Sequence, residues 1–189
     1  MAKVFDNPIT EGLSGRLGRS RLQFRKGRKG KTIVALSPVF SENRVFNETQ
    51  LAQQEAFRQA AQYAVGARDN PVYVNLARGA EATAYNLAIA DWFGKPEVLQ
   101  IDASGWTGQV GQTIRILAKD DTYVTGVHVT ITDAQEAVLE EGEAVRAAGP
   151  ARPEGWWIYT ATSDLSTNPD RQITAVATDL PGNTGSLAE

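Results

Sequence analysis

Two short stretches, "AKDDTYV" and "ATDLPGN", carry Asp120, Asp121 and Asp179, the carboxylates best placed to act together. Carboxylate oxygens are hard ligands, and Ca²⁺ takes roughly six to eight oxygens of this kind. If the two stretches are turns at the same end of one β-structure, the three aspartates converge and could hold Ca²⁺. The alternative is that each caps its own turn by accepting backbone N–H groups, as aspartate commonly does. A catalytic acid–base pair would need a set separation and a pocket, and neither can be read from these residues. His128 is the only histidine and cysteine is absent, so Ser-His-Asp triads and thiolate or histidine-rich metal sites have little to build on. The segment "GRKGKT" imitates a phosphate-binding loop, but Arg25 stands where the motif needs glycine. A β-branched run follows it, not the helix N-terminus that a phosphate cradle requires. The expectation is a protein without catalytic machinery and without a cofactor, calcium excepted.

Charge supplies the second kind of chemistry. Between Arg16 and Lys31 lie eight of the 19 basic residues and no acid. Residues 1–45 carry a net +7, residues 46–96 a net −1 and residues 97–189 a net −9, within a chain of net charge −3. A chain polarised in this way has one end suited to the opposite end of another copy, or to a polyanion. "EEGEA", with Glu140, Glu141 and Glu143, is the candidate acidic surface for such a contact.

Three kinds of element must position these groups. Residues 1–45 read as a basic β-hairpin arm. In "RLQFR", Leu22 and Phe24 alternate with Arg21, Gln23 and Arg25, while "KTIVAL" is extended and ends at Pro38. The expected strands are about 16–25 and 31–37, with a glycine-containing basic tip between them. Residues 46–96 read as a small helical unit. Asn47 and Gln50 form a capping-box pattern, Leu51, Phe57, Ala60, Ala61 and Ala64 make a buried stripe, and Gly66 is the stop. A second helix begins with Asn70 as cap and Pro71 at its first position, and Gly79 divides it from a third. That third helix is expected to bury Ala84, Leu87, Ala88 and Trp92.

Residues 97–189 switch to a period of two. Ile114, Ile116 and Ala118 share one face, as do Val127, Val129 and Ile131, then Trp157, Tyr159 and Ala161, then Ile173, Ala175 and Ala177. His128, Thr130 and Thr132 point the other way, and the adjacent Trp156 and Trp157 take opposite faces. Short strands separated by turn signals argue a β-sandwich. Only Thr184–Glu189 follow the last turn, so the final strand is expected to be short and to leave an open sheet edge.

The stretch "IRILAKDDTYVTGVHVTITDAQEAVLEEGEA", the strand "WWIYTAT" and the closing "RQITAVATDLPGNTGS" resemble the bacterial immunoglobulin-like modules of adhesins and surface proteins. The marks are Asp120-Asp121 before a valine-rich strand, the aromatic-x-Tyr-Thr-Ala strand, and the Ala-Thr-Asp-x-x-Gly-Asn turn. The resemblance implies an immunoglobulin-like sandwich over the last half of the chain and no particular activity, since such sandwiches host many roles.

The expected architecture is therefore α+β: an N-terminal β-hairpin arm, a small helical unit and a C-terminal immunoglobulin-like β-sandwich. The expected role is a structural subunit that assembles with itself into a filament, tube, shell or phage-like particle. Arg16, Arg19, Arg21, Arg25, Lys26, Arg28, Lys29 and Lys31 would steer the arm onto a neighbouring copy, and Leu22, Phe24, Ile33 and Val34 would be buried there. Two alternatives stay open: nucleic-acid binding through the same arm, and a carbohydrate or cell-surface binding module built on the sandwich and its tryptophans. No apolar run is long enough to span a membrane. No secretory signal is visible at the start, so the expected location is the cytoplasm or a released particle or filament.

Overall fold

The computed structural model describes residues 2–4, 13–17, 19–26, 32–40, 44–148, 154–168 and 170–189. They form three helices and three four-stranded antiparallel sheets, a mixed α+β chain. The chain makes two compact units, Met1–Gln53 and Gln54–Glu189. Among the described residues, no helix is long and apolar enough to cross a membrane.

The first unit holds β1 (Ala2–Val4), β2 (Gly15–Arg16), β3 (Leu22–Lys26) and β4 (Thr32–Leu36), in the order β1-β4-β3-β2. The expected pairing of β3 with β4 is present, with Leu22 opposite Leu36, Phe24 opposite Val34 and Lys26 opposite Thr32. The arm is nevertheless a sheet and not a lone hairpin. The stretch expected as one strand, 16–25, is broken by a tight turn in which Leu17 N–H donates to Leu22 O at 3.0 Å and Ser20 N–H to Leu17 O at 3.0 Å. Arg16 closes that turn by donating from Nε to the carbonyl of Ser20 at 2.6 Å. Two strands alone are marginal in water, and here β1 and β2 flank the pair.

α1 (Glu48–Ala67) starts at the expected capping box. Gln50 N–H donates to Asn47 Oδ1 at 2.8 Å and Asn47 N–H to Gln50 Oε1 at 3.1 Å. These two bonds satisfy donors that the first helical turn would otherwise leave unpaired. The helix runs one residue past Gly66. Of its expected stripe only Ala60 and Ala64 are buried, while Leu51 and Phe57 are exposed. α2 (Pro71–Gly79) is capped by Asn70, whose side chain accepts from Val72 N–H, and it ends at Gly79 as expected. α3 (Ala84–Phe93) is capped by Thr83. Its fully buried residues are Ala88 and Asp91; Trp92 is half-buried and lies 5.2 Å from Tyr63, centroid to centroid. Ala64, Tyr73 and Ala88 form a small apolar cluster, completed by half-buried neighbours that include Leu87 and Leu180.

The remaining strands make two sheets. β5 (Glu97–Asp102), β6 (Thr113–Lys119), β10 (Glu154–Thr160) and β9 (Val145–Arg146) lie in the order β5-β6-β10-β9. β7 (Gly126–Thr132), β8 (Val138–Glu143), β11 (Gln172–Thr178) and β12 (Thr184–Ala188) lie in the order β12-β11-β7-β8. Residues of both sheets meet in one hydrophobic core, with Ile114, Ile116, Val127, Val129, Ile131 and Ala175 fully enclosed. The period-two alternation dictates this, because every second side chain of a strand faces the same way. Trp157 belongs to the core. Trp156, on the opposite face, is half-buried under the Arg115 guanidinium at 4.4 Å.

The last strand is not truncated. β12 has five residues and pairs with β11 along its whole length, from Thr174–Ala188 to Thr178–Thr184. It also passes close to the start of β5. A Cβ at Gly185 would overlap the carbonyl of Pro96, so only glycine fits there.

Candidate functional site

The ends of β6 and β11 and the last turn of α3 bring three carboxylates together. Asp91, Asp120 and Asp179 are 2%, 3% and 3% exposed. Each can offer one oxygen such that all three oxygens lie within 4.8 Å of one another.

Each is held by local chemistry. Asp120 directly follows β6, and its Oδ2 accepts from Thr122 N–H and Tyr123 N–H, each at 2.9 Å, and lies 2.9 Å from Thr122 Oγ1. Asp179 opens the β11–β12 turn, where Oδ1 accepts from Gly182 N–H at 2.8 Å and Asn183 N–H at 2.6 Å. Gly182 takes φ +94 there, in the left-handed region that glycine enters freely. Asn183 Nδ2 donates to Asp179 Oδ2 at 2.8 Å and lies 3.4 Å from the backbone carbonyls of both Asp91 and Trp92, which ties the turn to α3. Asp91 accepts from Tyr73 OH at Oδ2, and its Oδ1 is in contact with the same Thr122 Oγ1. Tyr73 OH also meets Tyr63 OH at 2.9 Å.

Burial pushes the Asp91 carboxyl above the ordinary carboxylate range, and the neighbouring charges of Asp120 and Asp179 push the same way, against its hydrogen bonds from Thr122 and Tyr73. Burial likewise raises Asp179, against its bonds from Asn183 and Gly182, with Asp120 adding to the rise. Burial and the bond to the Asp91 carboxylate hold the Tyr73 phenol protonated far above its usual range. A group of oxygens alone suits a hard cation and not a soft one.

Asp120 and Asp179 thus stand together, as the turn positions suggested, and each also caps its own turn. Asp121 does not join them; it is exposed and lines a small polar cleft of about 120 Å³ with Lys95, Glu97, Lys119 and Asp120. Asp91 is the member that sequence reasoning missed. Its signal was present: Ala84, Leu87, Ala88 and Asp91 fall at i, i+3, i+4 and i+7, so an acid occupies the last place of an inward-facing stripe.

The acidic surface is smaller than expected. Glu140 is buried and already bonded, its Oε1 accepting from Tyr159 OH at 2.7 Å, Thr162 N–H at 2.5 Å and Thr162 Oγ1 at 2.9 Å. Its Oε2 accepts from Ser163 N–H at 3.2 Å. Burial raises its pKa, but these bonds outweigh burial and hold the carboxyl below the usual range. Glu140 therefore fastens β8 to the chain after β10 and offers nothing to a partner. Glu141 and Glu143 remain exposed, flanking His128, whose Nδ1 is 2.9 Å from Glu143 Oε1 and whose Nε2 is 3.8 Å from Glu141 Oε2.

In the arm, Arg16, Arg19, Arg21, Arg25 and Lys26 are exposed, and Leu22, Phe24, Ile33 and Val34 are half-buried. Arg28, Lys29 and Lys31 lie outside the described residues. Two of the arginines bond within the arm itself: Arg16 closes its turn, and Arg21 donates from Nη2 and Nε to the carbonyl of Ser37 at 2.8 and 3.2 Å. No family model, no curated protein and no solved structure matches the chain.

Proposed function

We propose that this chain is a structural subunit, not an enzyme, which associates with further copies of itself through its N-terminal sheet and carries an immunoglobulin-like sandwich at its C-terminal half. The observation that carries the assembly reading is the composition of the first unit. Among those of its residues whose side chains are described, 13–17, 19–26, 32–40 and 44–53, no hydrophobic side chain is buried, while Leu36, Val39 and Phe40 are 65%, 71% and 63% exposed. Leu13, Leu17 and Val45 are exposed as well. A sheet gains its stability by covering an apolar face, at about 1.5–3 kcal/mol for each large side chain fully enclosed, and where exposed apolar groups are contiguous they mark an interaction surface. Charge names the partner. Arg19, Arg25 and Lys26 are exposed on the arm, and residues 97–189 carry a net −9 with Glu141 and Glu143 exposed. Contact between unlike surfaces of identical subunits gives rings or open polymers.

The sandwich reading draws support from the strand orders. β5-β6-β10-β9 and β12-β11-β7-β8 follow the A-B-E-D and G-F-C-C′ orders of immunoglobulin-like domains.

Sedimentation velocity on the full chain tests the assembly reading. The chain is expected to sediment as oligomers that weaken as salt rises, and the exposed-site double variant Leu36→Ser/Phe40→Ser is expected to sediment as a monomer with unchanged circular dichroism. A full chain that stays monomeric at its highest soluble concentration sinks the reading. Salt-steep binding of duplex or single-stranded DNA by that monomer would transfer the arm to a nucleic-acid role.

A further inference from the structure

The buried acids are not needed for assembly, and their chemistry is incomplete as it stands. Three carboxylates sit within 4.8 Å of one another at nearly complete burial. Among the described residues, no lysine, arginine or histidine forms an ion pair with any of them. Taking even one charge out of water without a counter-charge is expensive.

Two atomic details show what is missing. Thr122 Oγ1 lies in hydrogen-bonding contact with both Asp91 Oδ1 and Asp120 Oδ2, yet a hydroxyl has one hydrogen to donate. The Thr122 hydroxyl can therefore be the donor in only one of the two contacts. Separately, Asp120 Oδ1 is buried with no hydrogen-bond partner, although the same carboxylate's other oxygen accepts from two backbone N–H groups. A buried carboxylate oxygen with nothing to bond is rare and needs a partner, which a cation or an ordered water can supply.

We infer that Asp91, Asp120 and Asp179 bind one hard divalent cation of the calcium class. All the donors are oxygen, which suits Ca²⁺ or Mg²⁺ over zinc or copper. The 4.8 Å limit on their spacing is about twice a Ca–O distance of 2.3–2.6 Å, so a single ion can touch all three. Thr122 Oγ1 is a fourth oxygen at the same place. Asp120 also borders the small surface cleft that Lys95, Glu97, Lys119 and Asp121 line. The three ligands come from α3, the β6–β7 connection and the β11–β12 turn, so the ion would lock the helical segment onto the end of both sheets. Without it the like charges push those three segments apart. The inference stands whether or not the chain assembles.

The test is melting of the full chain after exhaustive chelation, then with excess CaCl₂ or MgCl₂, alongside calcium titration by calorimetry. The expected result is one Ca²⁺ bound per chain and a rise in Tm of roughly 5–10 °C at a hundredfold excess over Kd. Asp120→Asn is expected to fold but to lose both the binding and the shift. Terbium in place of calcium should show luminescence sensitised by the neighbouring Tyr73, suppressed in Asp91→Asn. An equal shift with Mg²⁺ supports the same site with a smaller ion. A wild-type chain that melts at one temperature in chelator, Ca²⁺ and Mg²⁺, and binds none by calorimetry, overturns the inference without recourse to any variant. So does an Asp120→Asn chain that melts higher than wild type under every condition, because the acids would then be held by shared protons.

Discussion

The unit Met1–Gln53 and the unit Gln54–Glu189 solve the same problem, covering a β-sheet, in opposite ways. The larger unit encloses whole rows of apolar side chains between two sheets and adds a small cluster under its helices. The smaller unit buries no apolar side chain among residues 13–17, 19–26, 32–40 and 44–53, and it is held by strand ladders and by arginine bonds to backbone carbonyls. Backbone hydrogen bonds give the smaller sheet its register, but each contributes only about 0.5–1.5 kcal/mol net. Apolar burial is what gives a domain independent stability. The contrast teaches that a regular sheet can be well specified in register while enclosing little apolar surface of its own.

The sharpest way to break this contrast is to remove volume from the larger unit. Ile116→Ala, at a fully enclosed position, is expected to cost about 2–5 kcal/mol in urea unfolding. Leu36→Ala, at an exposed one, is expected to stay within about 0.5 kcal/mol when both variants are unfolded as dilute, unassociated chains in high salt. Similar losses for the two would mean that the arm has a core of its own.

A smaller effect concerns the buried polar anchor of the larger unit. Glu140→Gln can keep an oxygen where Oε1 accepts its three bonds, but its amide NH₂ then faces Ser163 N–H, donor against donor. The expected cost is about 1–3 kcal/mol. The pH dependence follows from the lowered pKa of Glu140. A carboxyl depressed on folding adds stability that is complete above its unfolded value, near 4.3. That stability is lost as pH falls through the folded value. Wild-type unfolding free energy is expected to fall more steeply with acid below that point than the free energy of Glu140→Gln. Parallel pH profiles would rule the anchor out.

The smallest effect tests the start of α1. Asn47→Ala removes the acceptor for Gln50 N–H and is expected to cost about 1 kcal/mol. Its far-ultraviolet helical signal should fray without any change in near-ultraviolet tryptophan bands.

Local rules made much of this chain legible in advance. The capping box at Asn47, the cap at Asn70, the break at Gly79 and the alternation through Ile114, Val127, Trp157 and Ile173 are all settled within a few residues of sequence. The pairing of β3 with β4 was legible for the same reason. β5 lay hidden because Leu99 and Gln100 interrupt its alternation, where the pairing with β6 shifts register. The stripe of α1 was overestimated at Leu51 and Phe57 because periodicity marks a face that can be buried and cannot say what reaches it.

The carboxylates divide along the same line. Sequence alone determined that Asp120 and Asp179 sit in turns, because Asx-type bonding and the Gly182 turn are matters of neighbouring backbone. It also determined the polarity of charge along the chain and the two-residue period of the strands. Only tertiary structure decided that Asp91, from a helix 29 residues upstream of Asp120 in the numbering, completes the cluster, that Asp121 turns away from it, and that Glu140 is an internal fastener and not a surface charge. Those outcomes depend on which segments meet in space, and contact between distant segments is set by the packing of whole layers, which no local pattern encodes.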